Sequence, residues 1–326
     1  MDSKTLRRSI CQVIVVLCCL ASTSIAQNYT SRPIRVIVPI SAGSNSDVIA
    51  RIVAENIRTS IGQPMIVDNR PGAGGTIGSA VVAKATPDGY TLLIVSSSHT
   101  TNPVLYAKLP YDGINDFKGI TRVATVPQIL VTSAAKNIKS VSELIERARA
   151  KPGTLSYGSG GVGSTVHMNA EQFRAMAKFD AVHVPYRGTP EVVTDLIAGA
   201  IDFAFIPVGN VIGPIKEGRL IALATGTEQR SKLLPDVPTT IEAGIPGSAY
   251  EPWIGMFAPT GTPVAILDRL NREAVKALRT PETAQKILGL GSEAAPMNRE
   301  AFDAFVAKDL ANTKELLRST KIQVSN

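Results

Sequence analysis

Short runs of branched apolar residues alternate along this chain with stretches in which apolar side chains recur every three or four positions. Ile34-Arg35-Val36-Ile37-Val38 reads as a strand. A polar turn from Pro39 to Asn45 follows. A helical spacing then runs from about Ser46 to Ile61, with Val48, Ile49, Ile52, Val53, Ile57 and Ile61 on one face, and Gly62 is placed to close it. Met65-Ile66-Val67 is the next strand, and Arg70 to Gly75 is a glycine-rich turn into a helix that ends at Ala83. Thr91 to Val95 is a further strand, closed by Ser96-Ser97-Ser98-His99.

The same unit returns later in the chain. Leu155-Ser156-Tyr157 leads through Gly158 to Gly163 into a helix beginning near Ser164. Strands are expected at 181–186, 201–206 and 220–225, with a helix from Pro190 to Ala198 between the first two. After Trp253 to Phe257 the pattern is helical: Ala265 to Leu278, Pro281 to Leu288 and Arg299 to about Leu317. Strands alternating with helices predict an α/β protein with largely parallel sheets. No Gly-, Ser- or Pro-rich linker divides the chain, so two α/β lobes sharing a hinge fit better than independent beads.

The first residues change the reading of charge and cysteine. Lys4, Arg7 and Arg8 precede an apolar run from Ile10 to Ala21, and Ser24-Ile25-Ala26 offers small residues for cleavage. The apolar core is shorter than a spanning helix needs, so a secretory signal over residues 1–26 is expected, removed after Ala26. All three cysteines (Cys11, Cys18 and Cys19) lie inside it, and Leu17 before Cys18 argues against lipidation. The mature chain is then free of cysteine, which excludes disulfides, thiolate nucleophiles and Cys-ligated metals. The formal net charge is +7, and the leader's three basic and one acidic side chains account for two of it. The remaining +5 is scattered, without a basic run or interleaved aromatics, which argues against nucleic acid. No later apolar stretch reaches spanning length, so the mature protein is expected to be soluble.

Two turns carry candidate chemistry. Ser41-Ala42-Gly43-Ser44-Asn45-Ser46-Asp47 and Gly160 to Thr165 are both runs of small or polar residues that feed a helix. A helix N-terminus presents unpaired backbone N–H groups and a partial positive charge, which suits an anion. The same residues also serve as plain N-caps. One such turn in each half strengthens the anion reading, since α/β sheets bind ligands at the carboxyl ends of their strands.

Other chemistries are poorly served. Gly158-x-Gly160-x-x-Gly163 has the dinucleotide spacing, with Asp180 at a ribose-like distance, but it follows a very short strand in an exported chain of 26 glycines. No serine sits in a G-x-S-x-G elbow, no Walker motif is present, and His99, His167 and His183 lack metal spacing. His167 and Glu171, four apart, are expected as ordinary polar surface. Arg187 is read as cleft-edge support rather than a carboxylate clamp.

At this point the motifs converge on a family. Arg32-Pro33-Ile34-Arg35 with Pro39-x-x-Ala42-Gly43, Val67 to Gly75, Ala85-x-Pro87-Asp88-Gly89-Tyr90-Thr91-Leu92 and Leu109-Pro110-Tyr111-Asp112 occur in order. Tyr157-Gly158-Ser159-Gly160, Gly163-Ser164-x-x-His167, Val182 to Gly188, Leu234 to Thr239 and Ala258-Pro259-x-Gly261-Thr262-Pro263 follow. Over residues 29–322 the chain resembles the periplasmic solute receptors of tripartite tricarboxylate transporters, the Bug family. The resemblance implies a type II-like, two-lobed binding protein, each lobe a mostly parallel sheet flanked by helices. Lobe 1 would be 27–127 with 249–326, and lobe 2 would be 128–248. It implies a small carboxylate held in the interlobe cleft by backbone N–H groups, hydroxyls and water, delivered to membrane permease subunits by a monomer with no cofactor and no catalysis.

Carried over by position, the ligand-binding residues in lobe 1 are Ile40, Ser41, Ala42, Gly43, Ser44, Asp47, Ser97 and His99. Those in lobe 2 are Gly160, Gly163, Ser164, Thr165, His167, Arg187 and Ile206. Ile40 and Ser41 depart from the family's usual Phe-Pro, and Ile206 stands where many members have Asp, which makes an amino-acid ligand less suitable. The competing reading is an exported hydrolase using the same cleft, for which the sequence nominates no base beside a nucleophile.

Overall fold

The computed structural model describes residues 31–320. The expected leader over 1–26 lies outside the described residues, and no helix among those described is long and apolar enough to cross a membrane.

The elements in chain order are β1 (Ile34–Val38), α1 (Asn45–Ile61), β2 (Met65–Asn69), α2 (Thr76–Ala83), β3 (Thr91–Ser96), α3 (Ser98–Leu105), β4 (Phe117–Thr125), β5 (Gln128–Ser133), α4 (Val141–Ala150), β6 (Ser156–Ser159) and α5 (Thr165–Ala177). They continue with β7 (Val182–Pro185), α6 (Thr189–Ala198), β8 (Phe203–Pro207), α7 (Val208–Lys216), β9 (Leu220–Thr225), β10 (Trp253–Pro259), α8 (Val264–Leu278), α9 (Pro281–Gly289), β11 (Glu293–Ala294) and α10 (Arg299–Thr320). They build two sheets, ordered β11-β4-β10-β3-β1-β2 and β7-β6-β8-β5-β9. Each sheet with its helices is called a lobe below.

The inner strands of both sheets are buried on both faces, which is why they read as near-continuous apolar runs. In the six-stranded sheet Ile34, Val36 and Val38 pack with α1, α8 and α9. Ile37 points the other way, into a layer with Val82, Trp253, Phe257, Phe302 and Val306 from α2, β10 and α10. The five-stranded sheet does the same between α4 and α5 on one face and α6 and α7 on the other. The C-terminal helices thus return to the sheet that opens the chain, and Asn271 of α8 fastens there by donating to the Ile120 carbonyl at 2.7 Å.

The expectation of largely parallel sheets needs correction. β10 runs antiparallel to both β3 and β4, and β5 antiparallel to both β8 and β9, so each sheet is mixed. The cause is the route of the chain. β4 passes through Val126-Pro127 straight into β5, and the return from β9 enters as β10, so each lobe receives one strand from the other side. The two crossings are stitched together: Val126 N–H donates to the Pro252 carbonyl, Gly226 N–H to that of Gln128, and Tyr250 N–H to that of Gly226, each at 2.8 Å.

Candidate functional site

The turn after β1 is a closed clasp. Ser44 caps α1, its hydroxyl accepting from Asp47 N–H at 3.3 Å. The Asp47 carboxylate reaches back to accept Gly43 N–H at 2.8 Å and also receives Asn69 and Arg51, at 2.9 and 3.2 Å. Burial alone would raise the Asp47 pKa, but the hydrogen bonds from Arg51, Gly43 and Asn69 outweigh it and hold the group below the ordinary carboxylate range. Asp47 is thus buried in the turn and holds its backbone in shape. Gly43 takes φ +81°, a conformation that costs glycine nothing. Ile40, Ser41, Ala42 and Gly43 stand exposed at the mouth of the turn. Asn45 and Ser46, the first helical residues, have no preceding turn to receive their N–H groups.

The turn after β6 repeats the design with different chemistry. Ser164 caps α5 through His167 N–H at 3.2 Å, and Gly163 N–H donates to His167 Nδ1 at 3.1 Å. With Nδ1 accepting, the neutral imidazole carries its proton on Nε2. Its ring stacks on His183 at 4.0 Å, and His183 Nε2 meets the Ser159 hydroxyl at 2.6 Å. Burial, then the neighbouring His183 and Arg174, lower the His167 pKa to about 3, so the residue is an uncharged brace for the turn. His167 and Glu171 are not surface residues as expected: both are buried, and Glu171 accepts from the Tyr157 hydroxyl and from Arg174.

The two turns lie on connected ground. Gly78 of α2 packs so closely on Pro39 that a Cβ there would sit 2.7 Å from the proline ring, and Asn102 of α3 donates to the Gly74 carbonyl at 2.9 Å. From the end of the same α3, Leu105 reaches the other lobe, where a Cβ on Gly163 would lie 2.3 Å from its Cδ1. A second interlobe contact joins Gly209 to the turn at Leu290-Gly291. The adjoining Ser292 accepts from Asn45 at the head of α1. The candidate cleft is thus bracketed by Leu105–Gly163 and Gly291–Gly209.

Other assigned residues fall elsewhere. His99 is a core residue of lobe 1, wedged between Phe117 and Phe257 with ring centroids 5.0 and 4.3 Å away, and burial lowers its pKa to about 4. Ile206 is wholly buried, paired across the sheet with Ile129. Both side chains lie in the core because the helical spacing of α3 and the pleat of β8 point them inward. Ser97 is buried at the hinge end of β3, its N–H on the Trp253 carbonyl. Arg187 is exposed beside β7, and Gly160 and Thr165 are half-buried in the second turn. The dinucleotide pattern dissolves as well, because Gly158 lies in β6 against Ile201 and Val192, while Asp180 faces Arg174 at 3.6 Å.

Sequence reasoning missed Asn69, Gln128, Asn169 and Ser292, which hold the turns. Only Gln128 left a signal, a polar residue opening the apolar run Ile129-Leu130-Val131. A cavity of about 960 Å³ lies elsewhere between the lobes, lined by residues such as Arg122, Tyr250, Glu251 and Asn312, and includes none of the candidate residues. No grouping of three or more metal-ligating side chains occurs among the described residues.

Residues 49–322 match the family described as Tripartite tricarboxylate transporter family receptor. A UPF0065 protein from the tcbD-tcbE intergenic region of Pseudomonas sp. (strain P51) is 40% identical over 82% of this chain and 80% of its own. Protein BugT of Bordetella pertussis is 33% identical over 92% and 93%. Among solved structures, Rpa4515 of R. palustris with adipate superposes with TM-score 0.80 at 30% identity, over 91% of this chain and 99% of that one. The periplasmic binding protein BugD gives 0.76 at 31%, over 90% and 99%. MatC of Rhodopseudomonas palustris with bound malate gives 0.75 at 28%, over 89% and 100%.

Proposed function

The chain belongs to the tripartite tricarboxylate transporter receptor family, and on that premise we propose that it captures a small organic carboxylate in the interlobe cleft and delivers it to the permease subunits of such a transporter. The observation that carries this reading is the pair of capped helix N-termini, α1 and α5, one from each lobe, at the carboxyl ends of β1 and β6. Partial positive charge and free N–H groups from both sides suit an anion that bridges the lobes, and they need no formal cation. Adipate and malate, seen in two relatives, make a dicarboxylate the first class to test. The family and its structural neighbours are solute receptors rather than enzymes, and the competing hydrolase reading finds no support among them. The receptor works as a monomer in the periplasm, after removal of the leader at Ala26.

A thermal-shift screen of mono-, di- and tricarboxylates, followed by calorimetry on the hits, tests the proposal. A binder raises the melting temperature by mass action. Stabilisation by at least one carboxylate, recovered intact after incubation, is the expected result. Silence across the panel, or conversion of the added compound, would contradict it.

A further inference from the structure

Gln128 is the first residue of β5, just past the Val126-Pro127 crossing, and it is wholly buried. Its backbone carbonyl accepts Gly226 N–H from the return crossing at 2.8 Å. Its Nε2 donates to Thr165 Oγ1 at 3.1 Å, on the first residue of α5. Its Oε1 accepts from Asn169 Nδ2 at 3.0 Å, one turn further along that helix. Asn169 is itself pressed against the return crossing, since a Cβ on Gly226 would sit 2.6 Å from its Nδ2.

Both crossings and the opening turn of α5 therefore converge on one residue, the crossings on its backbone and the helix on its side-chain amide. A buried amide with committed donor and acceptor has no cheap alternative geometry, because each bond left unmade strands a polar group out of water. At Gly226 the return crossing lies close enough to Asn169 to leave no space for a Cβ. Rotation at the crossings must then either carry Thr165 with it or break buried bonds.

We propose that Gln128, acting with Asn169, is a positioning residue that couples the two interlobe crossings to the second-lobe turn, so that lobe movement re-aims the N–H groups at the head of α5. This deepens the receptor reading and rests on it only in treating that turn as the ligand's.

The test is a double-mutant cycle read by amide hydrogen exchange in the full chain without any ligand. Pro127→Gly loosens a crossing, and Gln128→Met cuts the relay. Each alone is expected to speed exchange of the Gly163, His167 and Met168 amides by roughly fivefold or more, and the double variant is expected to add little. Factors that multiply in the double variant, or turn amides unmoved by Pro127→Gly, would overturn the coupling. If Gln128→Met does not fold, Thr165→Val removes only the last link and takes its place in the cycle. A failed carboxylate screen leaves this cycle untouched, and multiplying factors here leave the screen untouched.

Discussion

Three histidines looked alike in the sequence, and the structure gives them different work. His99 and His167 are buried and held neutral, whereas an unfolded chain protonates them near 6.5. Both folded values are depressed, so the unfolded state takes up more protons as pH falls below 6.5. Stability is fully present above that pH and is lost progressively toward about 4 for His99 and about 3 for His167. Replacing His99 by Phe keeps the ring contacts with Phe117 and Phe257 and removes the titration. Chemical denaturation at several pH values should show a shallower decline between 6.5 and 4 for that variant, by on the order of 2–3 kcal/mol at the acid end. A decline parallel to wild type would count against this account of His99. Residue type alone did not reveal these roles, because burial is decided by the face of α3 on which His99 falls and by the stacking of His167 on His183.

The elements were legible where capping chemistry and apolar spacing agreed. Ser44 and Ser164 cap α1 and α5, Gly62 closes α1 with φ +79°, and β9 falls on Leu220–Thr225 as the apolar run implies. Other elements gave less. α3 opens with Ser98 and the buried His99, Thr100, Thr101 and Asn102 and contains Pro103, so it offers no apolar stripe. β5 is buried at every position and shows no alternation. α4 did carry the signal, with Ser140 as cap and Val141, Leu144, Ile145 and Ala148 on one face, and the sequence reading passed over it. At this scale the second turn makes a graded prediction. Ser164→Ala removes a cap and should cost about 1 kcal/mol of stability. Gly163→Ala strains a backbone at φ +77° and drives a methyl into Leu105 of the facing lobe. Calorimetry with the best ligand should therefore find a larger affinity loss for Gly163→Ala, roughly tenfold or more. Equal affinities for Gly163→Ala and wild type would show that the contact is dispensable.

For the molecule as a whole, alternation of strand and helix made the α/β class readable, and the repeated polar turn made the two-sheet plan readable. The reversed strands β5 and β10 were not, since strand direction depends on where the chain crosses between lobes and no local spacing encodes that. Of the contacts between the lobes, two are glycine-sized gaps, and Gly209 is the cleaner one to probe because its φ is not positive. A Cβ there would lie 2.7 Å from the Leu290 carbonyl oxygen, so Gly209→Ala should hold the lobes apart without unfolding either. Small-angle scattering should show a larger radius of gyration for Gly209→Ala at ligand saturation, and an unchanged radius would contradict that. The central claim is that the ligand's negative charge rests between the heads of α1 and α5. The most direct measurement is an amide NMR titration with a carboxylate that stabilises the protein. The account predicts that Asn45 and Ser46 in one lobe and Gly161 to Thr165 in the other shift together along a single binding curve. Shifts confined to the residues around Arg122, Tyr250, Glu251 and Asn312, with both turns unmoved, would place the ligand in the 960 Å³ cavity instead and contradict it.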